Sequence, residues 1–151
     1  MRFKSEEQRK AVVAKFAHPT GKPVRRVHHN PKPRKREMVD PGKWRRDAAE
    51  DLESARADLQ ASRFRRAFEG AYIAAEKYAK SRLKQYDPEH NLTLLARGLK
   101  AMALPLPPGG LEEAANYDAL YQMARYPDGS LSVRETDARK MIRFAEAIER
   151  L

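Results

Sequence analysis

From Asp40 to the last residue, apolar side chains return every third or fourth position, and prolines and glycines cut that rhythm into helix-sized lengths. The first stripe is Trp44, Ala48, Leu52, Ala55 and Leu59. It follows Asp40-Pro41, an aspartate N-cap with proline at the first helical position. The second runs from about Arg63 to Tyr86 through Phe64, Ala67, Phe68, Ala71, Tyr72, Ala75, Ala79 and Leu83. Small residues fill its middle, so another helix can come close there. Gly70 costs roughly 1 kcal/mol relative to alanine and is tolerable if that approach needs it. Asp87-Pro88 breaks the segment. A third helix begins near Glu89 to Asn91 and carries Leu92, Leu95, Leu99 and Met102. After the loop of Pro105, Pro107, Pro108, Gly109 and Gly110, a fourth covers about Leu111 to Met123, with Leu111, Ala115, Leu120 and Met123 inward. The turn at Tyr126-Pro127-Asp128-Gly129 and a capping box of Ser132 with Glu135 lead into the last helix. That helix carries Val133, Ala138, Met141, Ile142, Ala145 and Ile148. No alternation of β-branched residues competes. The expectation is an all-α, antiparallel up-and-down helical bundle over residues 41–151, of four main helices plus a shorter one.

The charge is divided unevenly. Residues 1–40 hold 12 Lys/Arg and 4 Asp/Glu, or +8, while residues 41–151 hold 19 and 17, or +2. The first 40 residues read as a basic arm. Ser5 and Gln8 frame a short amphipathic helix over about Glu6 to Phe16, with Ala11, Val12, Phe16 and Phe3 on one face. Alone it is marginal, so it needs the bundle or another molecule. Residues 17–40 read as a proline-punctuated linker, expected to be disordered unless bound. Arg25, Arg26, Lys32, Arg34, Lys35 and Arg36 concentrate positive charge there. Such clusters release counterions on meeting nucleic-acid phosphates.

Several classes are excluded. With no cysteine, disulfides and thiolate metal sites are impossible. No apolar run approaches the roughly 18–20 residues of a membrane span, and Met1 to Phe16 is too charged for a signal peptide, so a soluble cytoplasmic protein with no membrane partner is expected. There is no phosphate-binding glycine loop and no Ser-His-Asp arrangement. Glu50, Glu69 and Glu76 make no Glu-x-x-His pattern, and His28-His29 lack a third ligand. Neither a metal nor a cofactor is expected.

Ordered landmarks run through residues 41–151: Trp44, Ala48, Leu52 and Ala55; the Tyr72-Ile73-Ala74-Ala75-Glu76-Lys77 segment; His90-Asn91-Leu92 with Leu95; and Tyr121 with Arg125-Tyr126-Pro127-Asp128 before the final helix. In these landmarks the segment resembles the HEPN (higher eukaryotes and prokaryotes nucleotide-binding) domain family. The resemblance implies a bundle that often forms a homodimer. Members include RNA-cleaving toxins, partners of nucleotidyltransferases and non-catalytic binding modules. The cleaving members carry an Arg followed after four to six residues by His, late in the fold. Here the only histidines are 18, 28, 29 and 90, so the last two helices have none. Arg82 stands nearest before His90, across the Asp87-Pro88 break. Lys84 has a permitted spacing but is not an arginine.

Each candidate has two readings. His90 caps or orients a loop, or acts as a general base in a displaced nuclease site with Arg82, Lys84 or Arg97 nearby. Arg125, Tyr126 and Asp128 form a rigid turn, or Arg125 grips a phosphate. Arg63, Arg65 and Arg66 extend the arm's phosphate-binding surface, or form a solvated face. Trp44 anchors the core or stacks on a partner. The leading expectation is a non-catalytic binding and assembly module whose arm contacts RNA, DNA or an acidic partner. The alternatives are a toxin-like, metal-independent endoribonuclease with an antitoxin partner, and an accessory subunit of a nucleotidyltransferase.

Overall fold

The structure, a computed structural model, describes residues 40–84, 90–107, 109–125 and 132–151. The basic arm, with the helix expected over about 6–16, lies outside the described residues. Five helices follow in order: α1 (Pro41–Gln60), α2 (Phe64–Leu83), α3 (Leu92–Ala101), α4 (Gly110–Ala124) and α5 (Glu135–Glu149). The described residues contain no strand. Four main helices and a shorter one form an all-α bundle, as the apolar rhythm predicts. Among the described residues no helix is long and apolar enough to cross a membrane.

Local chemistry sets the helix ends. The Asp40 carboxylate accepts from the Gly42 amide at 3.0 Å, with Pro41 in the first turn. Lys84 takes a positive φ of 51° and stops α2 one residue after Leu83, short of the Tyr86 that the pattern reached for. The start of α5 also departs from expectation. Val133 is buried, which holds the chain extended through Arg134. The helix therefore begins at Glu135, and Asp137, not Glu135, reaches back to accept from the N-cap amide of Arg134 at 2.9 Å.

Helix α2 is the axis of the bundle and contacts all four others. It forms an antiparallel hairpin with α1 across the turn 61–63, and this pairing is the most extensive among the described helices. The reason is side-chain size. Ala48, Leu52 and Ala55 of α1 meet Ala67, Ala71, Ala74 and Ala75 in a fully buried layer. A Cβ on Gly70 would lie 3.3 Å from the Ala55 Cβ and 3.5 Å from the Asp51 carbonyl. The glycine is thus explained by helix approach.

The α4 side of the core differs from the predicted face. Ala114, Tyr117, Leu120, Tyr121 and Ala124 are buried, whereas Leu111, Ala115 and Met123 are half-buried. The tyrosines shift the inward face because their rings join an aromatic ladder. Phe144 meets Tyr117 edge-on at 5.3 Å, Tyr117 meets Phe68 at 6.1 Å, and Phe68 meets Tyr72 at 6.5 Å. Tyr72 then stacks on Tyr121 at 4.0 Å with planes 6° apart. Such pairs add about 0.5–1.5 kcal/mol each beyond their burial. The ladder links α5, α4 and α2.

The C-terminal end of α5 is fastened by polar contacts. Arg56 donates to Glu146 at 2.9 Å, Tyr78 donates to Glu149 at 3.0 Å, and Arg45 reaches the Glu149 carbonyl at 3.3 Å. Trp44 is half-buried, not part of the sealed layer, and its ring lies 5.7 Å from the Lys80 ammonium.

Enlarging the side chain at position 70 tests the α1–α2 contact. Gly70→Val should lower unfolding free energy by about 1–3 kcal/mol, because the helices must separate. Gly70→Ala should gain less than the roughly 1 kcal/mol of its helix propensity. Urea titration followed by circular dichroism reads both.

Candidate functional site

The start of α3 is built by side chains from other helices. Asn91 caps it locally, accepting from the Leu94 amide at 2.8 Å. The remaining free amides go to Asp118 of α4. Its Oδ1 accepts from the Leu92 amide at 2.7 Å, and its Oδ2 from the Thr93 amide at 2.9 Å and the Thr93 hydroxyl at 2.5 Å. The Tyr72 hydroxyl of α2 donates to the same carboxylate at 2.6 Å. A helix N-terminus favours a carboxylate because its first amides lack partners and its dipole is positive there. Burial, with the neighbouring Asp118 charge, pushes the Tyr72 hydroxyl far above the usual phenol range, so it stays a donor.

One residue ahead of the Asn91 cap, His90 meets a second carboxylate. The Glu76 Oε2 lies 2.8 Å from His90 Nδ1. Glu76 is 2 % exposed on the inward side of α2, whereas the imidazole is about half exposed. Burial raises the Glu76 carboxyl above its ordinary range, opposed by the hydrogen bond from His90 and the charge of Lys80. Its Oε1 is buried with no hydrogen-bond partner among the described residues. Lys80 is one helical turn further along α2 and is itself 4 % exposed. When the Glu76 carboxylate is ionised it only accepts; His90 Nδ1 then carries the proton of this bond and leaves Nε2 without one. This is the arrangement that orients an imidazole as a general base.

Tyr121 forms the floor. One face stacks on Tyr72, the His90 ring lies 5.6 Å from its centroid, and the Arg125 guanidinium lies 5.5 Å from it. Burial raises the Tyr121 hydroxyl, and Arg125 opposes the shift.

The structure gathers only some of the residues singled out from sequence. His90 and Arg125 each lie against the Tyr121 ring. Arg82 does not join them on α2: it follows Glu76 by six residues, about 240° around the helix. It is half-buried, and its Nε has no hydrogen-bond partner among the described residues. Arg63 pairs with Asp58 at 2.6 Å and Arg65 with Glu69 at 3.0 Å, while Arg66 is exposed. Tyr126, Asp128, Arg25, Arg26, Lys32, Arg34, Lys35 and Arg36 lie outside the described residues. Glu76, Lys80 and Asp118 were not foreseen as site residues. For Glu76 and Lys80 a signal exists: a Glu and a Lys four apart, each directly after a buried alanine. For Asp118 there is none. Among the described residues no group of three or more His, Asp or Glu side chains is placed to hold a metal ion.

The fold and site define an all-α bundle with a buried carboxylate–histidine pair where a short helix joins its long axis. Residues 42–151 match the family model of the HEPN domain, and the chain belongs to that family. Comparison with curated proteins and with solved structures returned no match.

Two substitutions probe the junction. Asp118→Ala strands the amides of Leu92 and Thr93 and the Tyr72 hydroxyl, and should cost about 2–4 kcal/mol in urea unfolding. Glu76 tests a pH dependence. Its folded carboxyl is raised, so the folded state keeps a proton that the unfolded state has lost. Its contribution to stability therefore falls as pH climbs from about 4.3 towards the folded value. Glu76→Gln should remove that decline, so stability measured across mildly acidic pH should fall less steeply in the variant than in the parent.

Proposed function

We propose that this chain is a non-catalytic HEPN binding and assembly module whose basic arm holds nucleic acid by its phosphates. The observation that carries the reading is how charge is distributed and compensated. Several of the bundle's cations pair with its own carboxylates: Arg56 with Glu53 and Glu146, Lys77 with Asp51, Arg139 with Glu135, besides the Arg63 and Arg65 pairs. Each exposed pair adds little stability. By formal count residues 41–151 stand at +2, while residues 1–40 carry +8. Counterion release is therefore largest along Arg25, Arg26, Lys32, Arg34, Lys35 and Arg36. The non-catalytic part rests on the missing Arg–His pair, since no histidine follows position 90.

A fluorescent single-stranded oligonucleotide titrated at several salt concentrations tests this. Replacing Arg25, Arg26, Arg34, Lys35 and Arg36 by Gln should weaken binding and flatten the plot of log K against log salt by up to about 0.7 per lost phosphate contact. An unchanged slope removes the arm from the interface. Binding of an acidic protein with no oligonucleotide binding assigns the arm to that partner class instead.

The Glu76–His90 pair favours a second reading, an endoribonuclease whose general base is His90 Nε2. Under it, His90→Ala abolishes cleavage of an RNA substrate and Glu76→Gln slows it with an altered pH profile. An RNA left intact by the parent protein sinks this reading.

A further inference from the structure

An open groove of about 450 Å³ lies between the α3–α4 connection and the first turn of α4, with Leu104, Leu106 and Leu111 on its apolar walls. Lys100 and Glu112 stand on its rim. Met102, two residues before Leu104, is 53 % exposed. We propose that this groove is the seat of the same chain's N-terminal segment, Glu6 to Phe16, with Val12 and Phe16 as its anchors.

Three observations select this occupant. The first is the segment's own need: a three-turn amphipathic stretch is marginal in water and holds only when its apolar stripe is covered. The second is position. The arm joins the bundle at Asp40, and the contacts from there run towards the groove. Trp44 lies over Lys80 near the end of α2, Leu83 at that end packs on Gly98 of α3, and the Leu104 amide bonds back to the Leu99 carbonyl. Residues 17–39 span on the order of 25–30 Å as a coil, about the length of a 20-residue helix. A tether of that length holds the segment at an effective concentration approaching millimolar. A weak groove is then filled by its own arm before a second copy competes. The third is charge. Glu6 and Glu7 open the segment, whereas Arg9, Lys10 and Lys15 follow. The rim offers Lys100 to the acidic end, and Glu112 with Glu113 in the first turn of α4 to the basic remainder.

This proposal is independent of whether the arm binds nucleic acid. It makes the strap from about Lys22 to Arg36 a loop anchored at both ends, so less ordering entropy is lost when it meets a ligand.

The absence of cysteine supplies the test. Lys10→Cys in the full chain takes a single nitroxide label, and leucine methyl resonances report its neighbourhood. The expected result is loss of intensity at Leu104, Leu106 and Leu111, with Leu52 unaffected and all signals restored on reducing the nitroxide. Phe16→Ser, which removes an anchor of the segment, and Leu106→Glu should each abolish the loss. Loss confined to a mixture of spin-labelled chains with separate isotope-labelled chains assigns the groove to a second copy and overturns the proposal. Equal intensities in the oxidised and reduced samples overturn it as well.

Discussion

One carboxylate holds the junction together. Asp118, rooted in α4, receives donors from two other helices: the Tyr72 hydroxyl of α2, and the amides and hydroxyl at the start of α3. Each donor is otherwise costly to bury. Together with the Asn91 cap, the arrangement sets where α3 begins. It also fixes the Tyr72 ring, and with it the stack on Tyr121 against which His90 and Arg125 rest. The second carboxylate, Glu76, then has a defined histidine to meet. Its burial raises its carboxyl, so its charge is sustained chiefly by His90 and Lys80. A stable junction and a strained carboxylate thus sit one helical turn apart on α2.

Most of the fold was legible because it depends on periodicity and on breaks. The stripe of α1, the alanine-rich middle of α2 and the inward face of α5 follow from spacing alone. The HEPN landmarks are written in the same residues. Two kinds of feature were not legible. Tyr117 and Tyr121 read as amphipathic, and only their partners Phe144, Phe68 and Tyr72 on other helices make them core. The start of α5 turned on the burial of Val133, a tertiary fact that overrode a good local capping signal. At the site, His90 and Arg125 were visible as isolated residues. Their shared surface was not, because Asp118 lies 28 positions beyond His90 and speaks only through space.

The division of charge gives this HEPN bundle its character. Its carboxylates answer its own guanidinium groups, across helices as well as within them. A bundle so balanced has little long-range field with which to attract a polyanion. The excess positive charge is carried by a segment whose composition favours extension over packing. The fold and the excess charge are in this way carried by different stretches of one chain, joined at a single well-capped helix start.

That joint has a mechanical meaning. The Asp40 cap ties the residue at which the arm meets the bundle directly to the first turn of α1. Helix α1 lies against α2 through alanines and Gly70, side chains too short to shear or re-pack independently. Tension applied along the arm therefore travels down α1 as along a strut and is shared at once with the central axis of the bundle. A load on the arm meets the whole hairpin's resistance, not that of one helix peeling from its end.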